Sequence, residues 1–331
     1  MRKYTRSFTL LFLSAIAIFS SCNKGGDSSG NPSPIDTSTT KLILSNMFAG
    51  TRTMTPTQSL EVNAGTFQVV YAPSQTTRLM FYPNSFKDKN GNIITSGQID
   101  IKIVEMYSPG RMIANRSSTV WSGRLLQSGG QVYIKAYRAG QEVFPTVYGI
   151  GFNASHTNAA PPMALFYGNN MNQDSITTWT QAPNNAGTLA NTTFSDTSNN
   201  VIYYQFDSCT NFNWINCDLI YNTTEQLVNL TLVSKDTVGL DKTNTQVFLV
   251  FPSINSVTYM QKFNDTAKKW TLSDMYLVPA NMPFHAVSIS LRNGLYYYSE
   301  VKNLTTKYEF VDTLRPQQKS LSDVINALGG L

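Results

Sequence analysis

The sequence predicts an all-β molecule: two β-sandwich-like domains of mainly antiparallel strands, with a short C-terminal helix. Three observations predict it. Apolar and polar residues alternate with a period of two in one segment after another, which is the pattern of half-buried strands. Charged residues make up only 14% of the chain, so Ser, Thr, Asn and Gln supply much of its polarity, which suits exposed β-structure better than a helical cytosolic enzyme. A clear helical stripe occurs in one place, near the C-terminus.

The N-terminal segment has its own logic. Arg2, Lys3 and Arg6 give a basic start, and Phe8 to Phe19 (FTLLFLSAIAIF) is an apolar run. Its length suits a secretory signal, whose apolar region spans about 7–15 residues. A membrane-crossing helix needs about 20. Ser20 and Ser21 then precede Cys22. Small residues directly before a cysteine resemble the bacterial lipobox, with Phe19 in place of its usual Leu. The resemblance implies removal of residues 1–21 and a diacylglyceryl thioether at Cys22. One acyl chain holds a protein only marginally, whereas two or more anchor it stably. The expected address is therefore the outer membrane, lipid-anchored and facing the cell surface, with the periplasmic face as the alternative. The only membrane contact expected is this anchor.

Removing residues 1–21 takes away three basic residues and no acid, so the formal charge of +5 falls to +2. No Lys/Arg cluster remains, and nucleic acid is not an expected partner. Residues 22–40 follow as a tether rich in Gly, Ser, Pro and Thr. Such a stretch buries too little to offset its ordering entropy. As a flexible coil it would reach about 25 Å. Lys24 and Asp27 resemble the Lys-plus-acid signals that send some lipoproteins outward.

The first sandwich-like domain is expected over 41–183. Ile99, Ile101 and Ile103 alternate with Asp100 and Lys102, and Val132, Ile134 and Ala136 alternate with Tyr133 and Lys135. Asn90-Gly91 within KDKNGNIIT reads as a tight hairpin turn. The polar run 184–200 (NNAGTLANTTFSDTSNN) is dense in turn-formers and is the expected linker. The second domain is expected over 201–331. Val228, Leu230 and Leu232 alternate, as do Val287, Ile289 and Leu291. VFLVF (Val247–Phe251) is apolar throughout, as a central strand covered on both faces would be. Asn293-Gly294 is a second hairpin turn. Ser320 and Asp323 form a capping box ahead of the stripe Leu321, Val324, Ile325 and Leu328, and Gly329 ends the helix.

FYPNSFKDKNGNIITSGQIDIKIVEMYSPGRMI (81–113) resembles a recurrent module of uncharacterised Bacteroidota surface lipoproteins. Ser118-Thr119, Leu125-Leu126, Ser128-Gly129-Gly130, MALFYG (163–168) with Trp179, and NWINCD (213–218) fit the same pattern. Leu219 and Ile220 stand where that family continues with Arg and an aromatic residue. The resemblance implies fold and location, and no assigned activity.

Catalytic motifs are absent from the sequence. His156 and His285 are far apart and lack metal-ligand spacing. Neither a serine-nucleophile elbow nor a phosphate loop is present, and no cofactor or metal is implied. Glu105, Glu142 and Glu300 are the acids a glycan hydrolase would draw on, although spacing does not pair them. Cys209 and Cys217 are either a disulfide across a turn centred on Trp214 or two buried thiols. Asp-Ser/Thr pairs followed by an apolar residue place Ser175, Thr237, Thr266 and Thr313 in a pattern similar to the Bacteroidota O-glycosylation sequon. Turn chemistry explains the same pairs. Tyr296, Tyr297 and Tyr298 alternate their faces on a hairpin strand and are the expected contact surface. The expected role is non-enzymatic binding, adhesion or structure, with a surface glycan or protein as partner. The alternatives are an envelope glycan hydrolase and an accessory subunit of an outer-membrane complex.

Overall fold

Alternating apolar residues become the inner faces of sheets throughout the computed structural model, which describes residues 37–156, 162–169, 178–183, 189–190, 193–197, 200–235 and 239–331. Cys22 and residues 1–36 lie outside the described residues, as do Ser175 and Thr237. The fold is all-β, with four main sheets and three α-helices among the described residues. None of those helices is long and apolar enough to cross a membrane.

Two sheets make the first sandwich. An eleven-stranded sheet is built around Gln98–Met106, Arg124–Arg138, Asn213–Ile220 and Met163–Gly168. A five-stranded sheet runs in the order Thr193–Asp196, Val201–Cys209, Tyr148–Asn153, Thr77–Phe81, Gln68–Tyr71. Ile99, Ile101, Ile103, Val132 and Ile134 of the one face Leu79, Phe81, Tyr148, Ile150 and Phe206 of the other in a single buried core.

The second sandwich pairs another five-stranded sheet with a four-stranded one. Thr245–Phe251 is buried at every position, between Ser256–Tyr259 and Pro283–Arg292. Its Val247, Leu249 and Phe251 enter the core shared with Leu230, Leu232, Trp270 and Phe310. Its Phe248 and Val250 face the opposite way, into a third core. The hairpin Pro283–Arg292/Leu295–Thr305 closes at Asn293 and Gly294, with φ of 49° and 78°. Both residues are left-handed, as a type I′ turn requires.

The third core joins the sandwiches. Three helices fill it: α1 (Thr37–Thr51), α2 (Pro109–Ala114) and α3 (Leu321–Gly329). Leu44, Met47 and Phe48 of α1, Met112 and Ile113 of α2, and Val324 and Leu328 of α3 are buried there against Trp214, Phe166, Phe248 and Ile289. The α3 capping box forms as expected, with the Ser320 hydroxyl accepting from the Asp323 amide. α2 and α3 meet backbone to backbone. A Cβ on Gly110 would lie 1.7 Å from the Leu328 carbonyl oxygen, so only glycine permits this approach.

Two expectations are corrected. The expected border at 184–200 does not separate the sheets. Val201–Cys209 pairs with Tyr148–Asn153, and Asn213–Ile220 pairs with Arg124–Arg138. The change from one sandwich to the other therefore falls after Ile220. A polar turn-rich run marks a loop, and alternation does not say which strand pairs with which. The tether expected over 22–40 also ends earlier, because residues 37–40 are helical in α1. Their Ser/Thr-rich composition hid the start of a helix that further on buries Leu44, Met47 and Phe48.

Candidate ligand-binding face

Most residues singled out from the sequence prove to be packing residues. Tyr296 donates from its hydroxyl to the Met47 carbonyl of α1 at 2.8 Å, and Tyr298 is buried in the same helical layer. Period two puts both on the covered face of their strand. Tyr297 points the other way and is half-buried, with the Arg292 guanidinium 4.3 Å above its ring. The expected contact surface is thus largely a seam inside the molecule. Trp179, Trp214 and Trp270 are buried. Thr266 is exposed in a turn, whereas Thr313 is half-buried on the strand Phe310–Leu314.

No disulfide joins Cys209 and Cys217; both are buried free thiols. Cys209 ends a strand of the five-stranded sheet, and Cys217 lies in the eleven-stranded sheet. The segment between them crosses from one layer to the other instead of turning back. Burial pushes both thiols far up, away from the reactive thiolate.

The acids are engaged too. Glu105 is buried and accepts from Gln58, Ser74, Thr76 and Thr77, tying two strands to the turn before Thr77. Glu142 pairs with Lys135. Glu300 lies 3.1 Å from Lys302, 3.7 Å from His285 Nδ1 and 3.2 Å from the Tyr298 hydroxyl. Among the described residues no group of three or more His, Cys, Asp or Glu is placed to hold a metal ion.

The family-like motifs converge on one buried polar node beneath the helices. Trp179 Nε1 donates to the Ser118 carbonyl at 2.7 Å, and Gln131 Nε2 donates to the same oxygen at 3.1 Å. Asn255 Nδ2, from the second sandwich, donates to the Ser128 carbonyl at 3.1 Å. Asn216 Nδ2 donates to Asp218 Oδ2. Asp218 is fully buried, and burial holds its carboxyl well above the usual range although the neighbouring Ser128 and Asn216 side chains favour its charged form. This node is structural: Ser118, Ser128, Gln131, Trp179, Asn216, Asp218 and Asn255 are all buried at the junction of the sandwiches.

A different surface is suited to binding. The outer face of the first five-stranded sheet carries no covering sheet among the described residues. Outward positions are fixed by alternation against the core residues Leu79, Phe81, Ile150 and Phe206. They bring Arg78, Gly151 and Gln205 into one cross-strand row, next to Met80 and Gly149. Arg78 Nη1 donates to Gln205 Oε1 at 2.9 Å, and Gln205 Nε2 donates to Asp207 Oδ1 at 3.2 Å. The same guanidinium lies 4.7 Å over the Phe194 ring. Tyr71 donates from its hydroxyl to Asp196 Oδ2. At one end Phe67, 56% exposed, packs against Tyr82 with ring centroids 5.6 Å apart. At the other end Phe194 is 40% exposed. The Tyr82 phenol is shifted up, first by burial and then by the charge of Asp207, which Arg78 partly offsets.

Sequence reasoning missed this face. A signal was present: Gly149 and Gly151 alternate with Tyr148, Ile150 and Phe152, so the central strand is bulky on one side and bare on the other. Which side faced outward depended on strand pairing. No protein-family model matches the chain, and no curated protein matches it either.

Proposed function

We propose that the chain is a lipid-anchored surface protein of the bacterial outer membrane that binds a ligand through the outer face of its first sandwich, without transforming it. The anchor reading rests on the order of features in the sequence: basic start, short apolar run, small residues, Cys22, polar tether. The resemblance of its motifs to Bacteroidota surface lipoproteins supports the same location. The observation that carries the binding role is the face itself, where aromatic rings stay exposed around polar groups that hold one another in place. Catalysis of glycan hydrolysis would need a free pair of acids at set separation. Glu105 and Glu142, two of the acids the sequence offers for it, are committed to internal hydrogen bonds and an ion pair.

Detergent-phase partition and intact mass test the anchor. The native protein is expected in the detergent phase, lacking residues 1–21 and carrying acyl mass on Cys22. Cys22→Ser is expected in the aqueous phase without that mass. Native protein with no acyl mass overturns the anchor. The same spectrum reads any glycan, for which Thr266 is the accessible position and Thr313 the hindered one.

A further inference from the structure

We propose that Cys209 and Cys217 make this fold redox-sensitive: in the unfolded chain they close into a disulfide that the native fold has no place for, so only the reduced chain folds, and the fold then shields both thiols. The proposal rests on where two residues stand and is independent of the binding role above.

The native geometry comes first. Both thiols are free and fully buried in the core of the first sandwich. Cys209 ends Val201–Cys209 of the five-stranded sheet, opposite Tyr148. Cys217 lies in Asn213–Ile220 of the eleven-stranded sheet, opposite Leu165. Packed sheets lie about 10 Å apart, and a disulfide needs Cα atoms within about 7 Å. The surroundings differ too. Cys209 lies near the Tyr148 and Tyr167 phenols, and Cys217 near those of Tyr107 and Tyr204. Bridging them would pull Cys217 out of a strand paired on both sides, with Arg124–Arg138 and with Met163–Gly168. The same movement would draw Ile215 out of the first core and Trp214 out of the third. Bridge and sandwich therefore exclude each other.

The unfolded chain has no such barrier. Seven residues separate the two cysteines, and a loop of about ten residues closes in roughly 10–100 ns. Exposed thiols titrate near about 8.5 and supply thiolate at neutral pH. A small-molecule disulfide such as oxidised glutathione is the oxidant. One cysteine thiolate attacks it, forms a mixed disulfide and releases one glutathione thiolate. The second cysteine attacks the protein sulfur of that mixed disulfide and releases the other. One disulfide is reduced for the one formed, and the two cysteine protons pass through water to the two glutathiones. In the folded chain burial withholds both the thiolate and the access that this exchange needs. Linkage sets the direction: a bond compatible only with the unfolded state draws the equilibrium toward it. In an oxidising compartment, folding has to come before oxidation.

The test is refolding of the full-length chain carrying Cys22→Ser, which leaves two thiols. The chain is unfolded in urea, treated with oxidised glutathione or kept reduced, and then freed of urea. Peptide mass mapping reads the bridge, and thermal melting reads the fold. The reduced chain is expected to regain its cooperative transition. The oxidised chain is expected to carry the Cys209–Cys217 bridge and to lose that transition until dithiothreitol restores it. C209A/C217A on the same background is expected to refold alike after either treatment; recovery by dithiothreitol keeps the test decisive if that variant does not fold. Folded protein given the oxidant without urea is expected to keep both thiols, read by alkylation after later unfolding. A chain that regains the transition with the bridge in place overturns the proposal. So does an unfolded chain that forms no such bridge, or a reduced chain that fails to fold. Oxidation of the folded protein as fast as of the unfolded chain overturns the shielding.

Discussion

At the scale of single residues, Asn216 and Asp218 are the pair whose chemistry is most constrained. Both are fully buried, and Asn216 Nδ2 donates to Asp218 Oδ2. Their other oxygens, Asn216 Oδ1 and Asp218 Oδ1, are buried and have no hydrogen-bond partner. An orphaned buried acceptor costs about 1–3 kcal/mol. A proton on Asp218 Oδ1 removes the buried charge and makes that orphaned oxygen a donor. Burial raises the Asp218 pKa well above its ordinary value, which favours that proton. The sign of the pH effect follows. A folded-state pKa raised above the unfolded one gives stability that is fully present below the unfolded carboxyl range, near about 4. That stability is lost as pH rises toward the folded value, by up to about 1.4 kcal/mol per pH unit. Asp218→Asn keeps the shape and carries its donor at every pH. Its melting temperature is expected to match wild type near pH 4 and to exceed it increasingly toward neutrality. A constant difference across pH would show Asp218 ionised in the fold. NWINCD was visible as a motif in the sequence, but its meaning was not, because alternation puts Ile215 and Cys217 in the sandwich core and Trp214 in the helical layer without showing which groups meet Asn216 and Asp218. Those groups are set by a register shift that puts Asn216 opposite Gln131 but Asp218 opposite Ser128, which no one-strand pattern encodes.

Among the elements, α3 was fully legible and the other two helices were not. Leu321, Val324 and Leu328 repeat at helical spacing behind a capping box, so start, face and end all show in the sequence. α2 spans six residues with Ser108 ahead and Pro109 at its first turn, too short to display a period. α1 begins in a Ser/Thr run of low helix propensity and owes its conformation to Leu44, Met47 and Phe48 docking in the shared core. The strand signals fared better, since alternation reports burial directly. Gly110 carries the clearest consequence at this scale. Ala at that position gains helix propensity, about 1 kcal/mol in a regular helix. It also drives a methyl group into the Leu328 carbonyl, a rigid backbone atom. Overpacking of that kind costs about 1–3 kcal/mol or more, so Gly110→Ala is expected to lower the melting temperature. An unchanged or higher melting temperature would mean that α3 does not dock on α2 at this distance.

For the whole molecule, the question is whether two sandwiches behave as two domains. The sequence suggested a linker, and each sandwich does have its own core. What binds them is the third core, to which both contribute an outer sheet face and which the three helices fill. Direct bonds cross the same junction. The Thr119 amide donates to the Val257 carbonyl at 2.8 Å, the Val257 amide donates to Thr119 Oγ1 at 2.7 Å, and the Thr119 and Ser256 hydroxyls lie 2.6 Å apart. A junction with this much buried apolar surface and paired backbone couples the two halves, unlike the polar interfaces that let domains move independently. Phe48 tests the coupling. Its ring is fully buried in α1 and meets the Phe248 ring edge-on at 6.1 Å. Truncating a buried Phe to Ala costs about 3–5 kcal/mol. Phe48 belongs to neither sandwich core, so a local defect would leave both sandwiches at wild-type stability. A shared core instead transmits the loss to both. Urea unfolding followed by pulsed hydrogen exchange distinguishes these cases, reading peptides from Asn213–Ile220 and from Leu230–Ser234. In wild type the two peptides are expected to lose protection at one urea concentration, and in Phe48→Ala they should shift together to a lower one. Separate midpoints in wild type, or a shift of one peptide alone, would mean that the sandwiches fold as independent units and that the helical layer merely covers them.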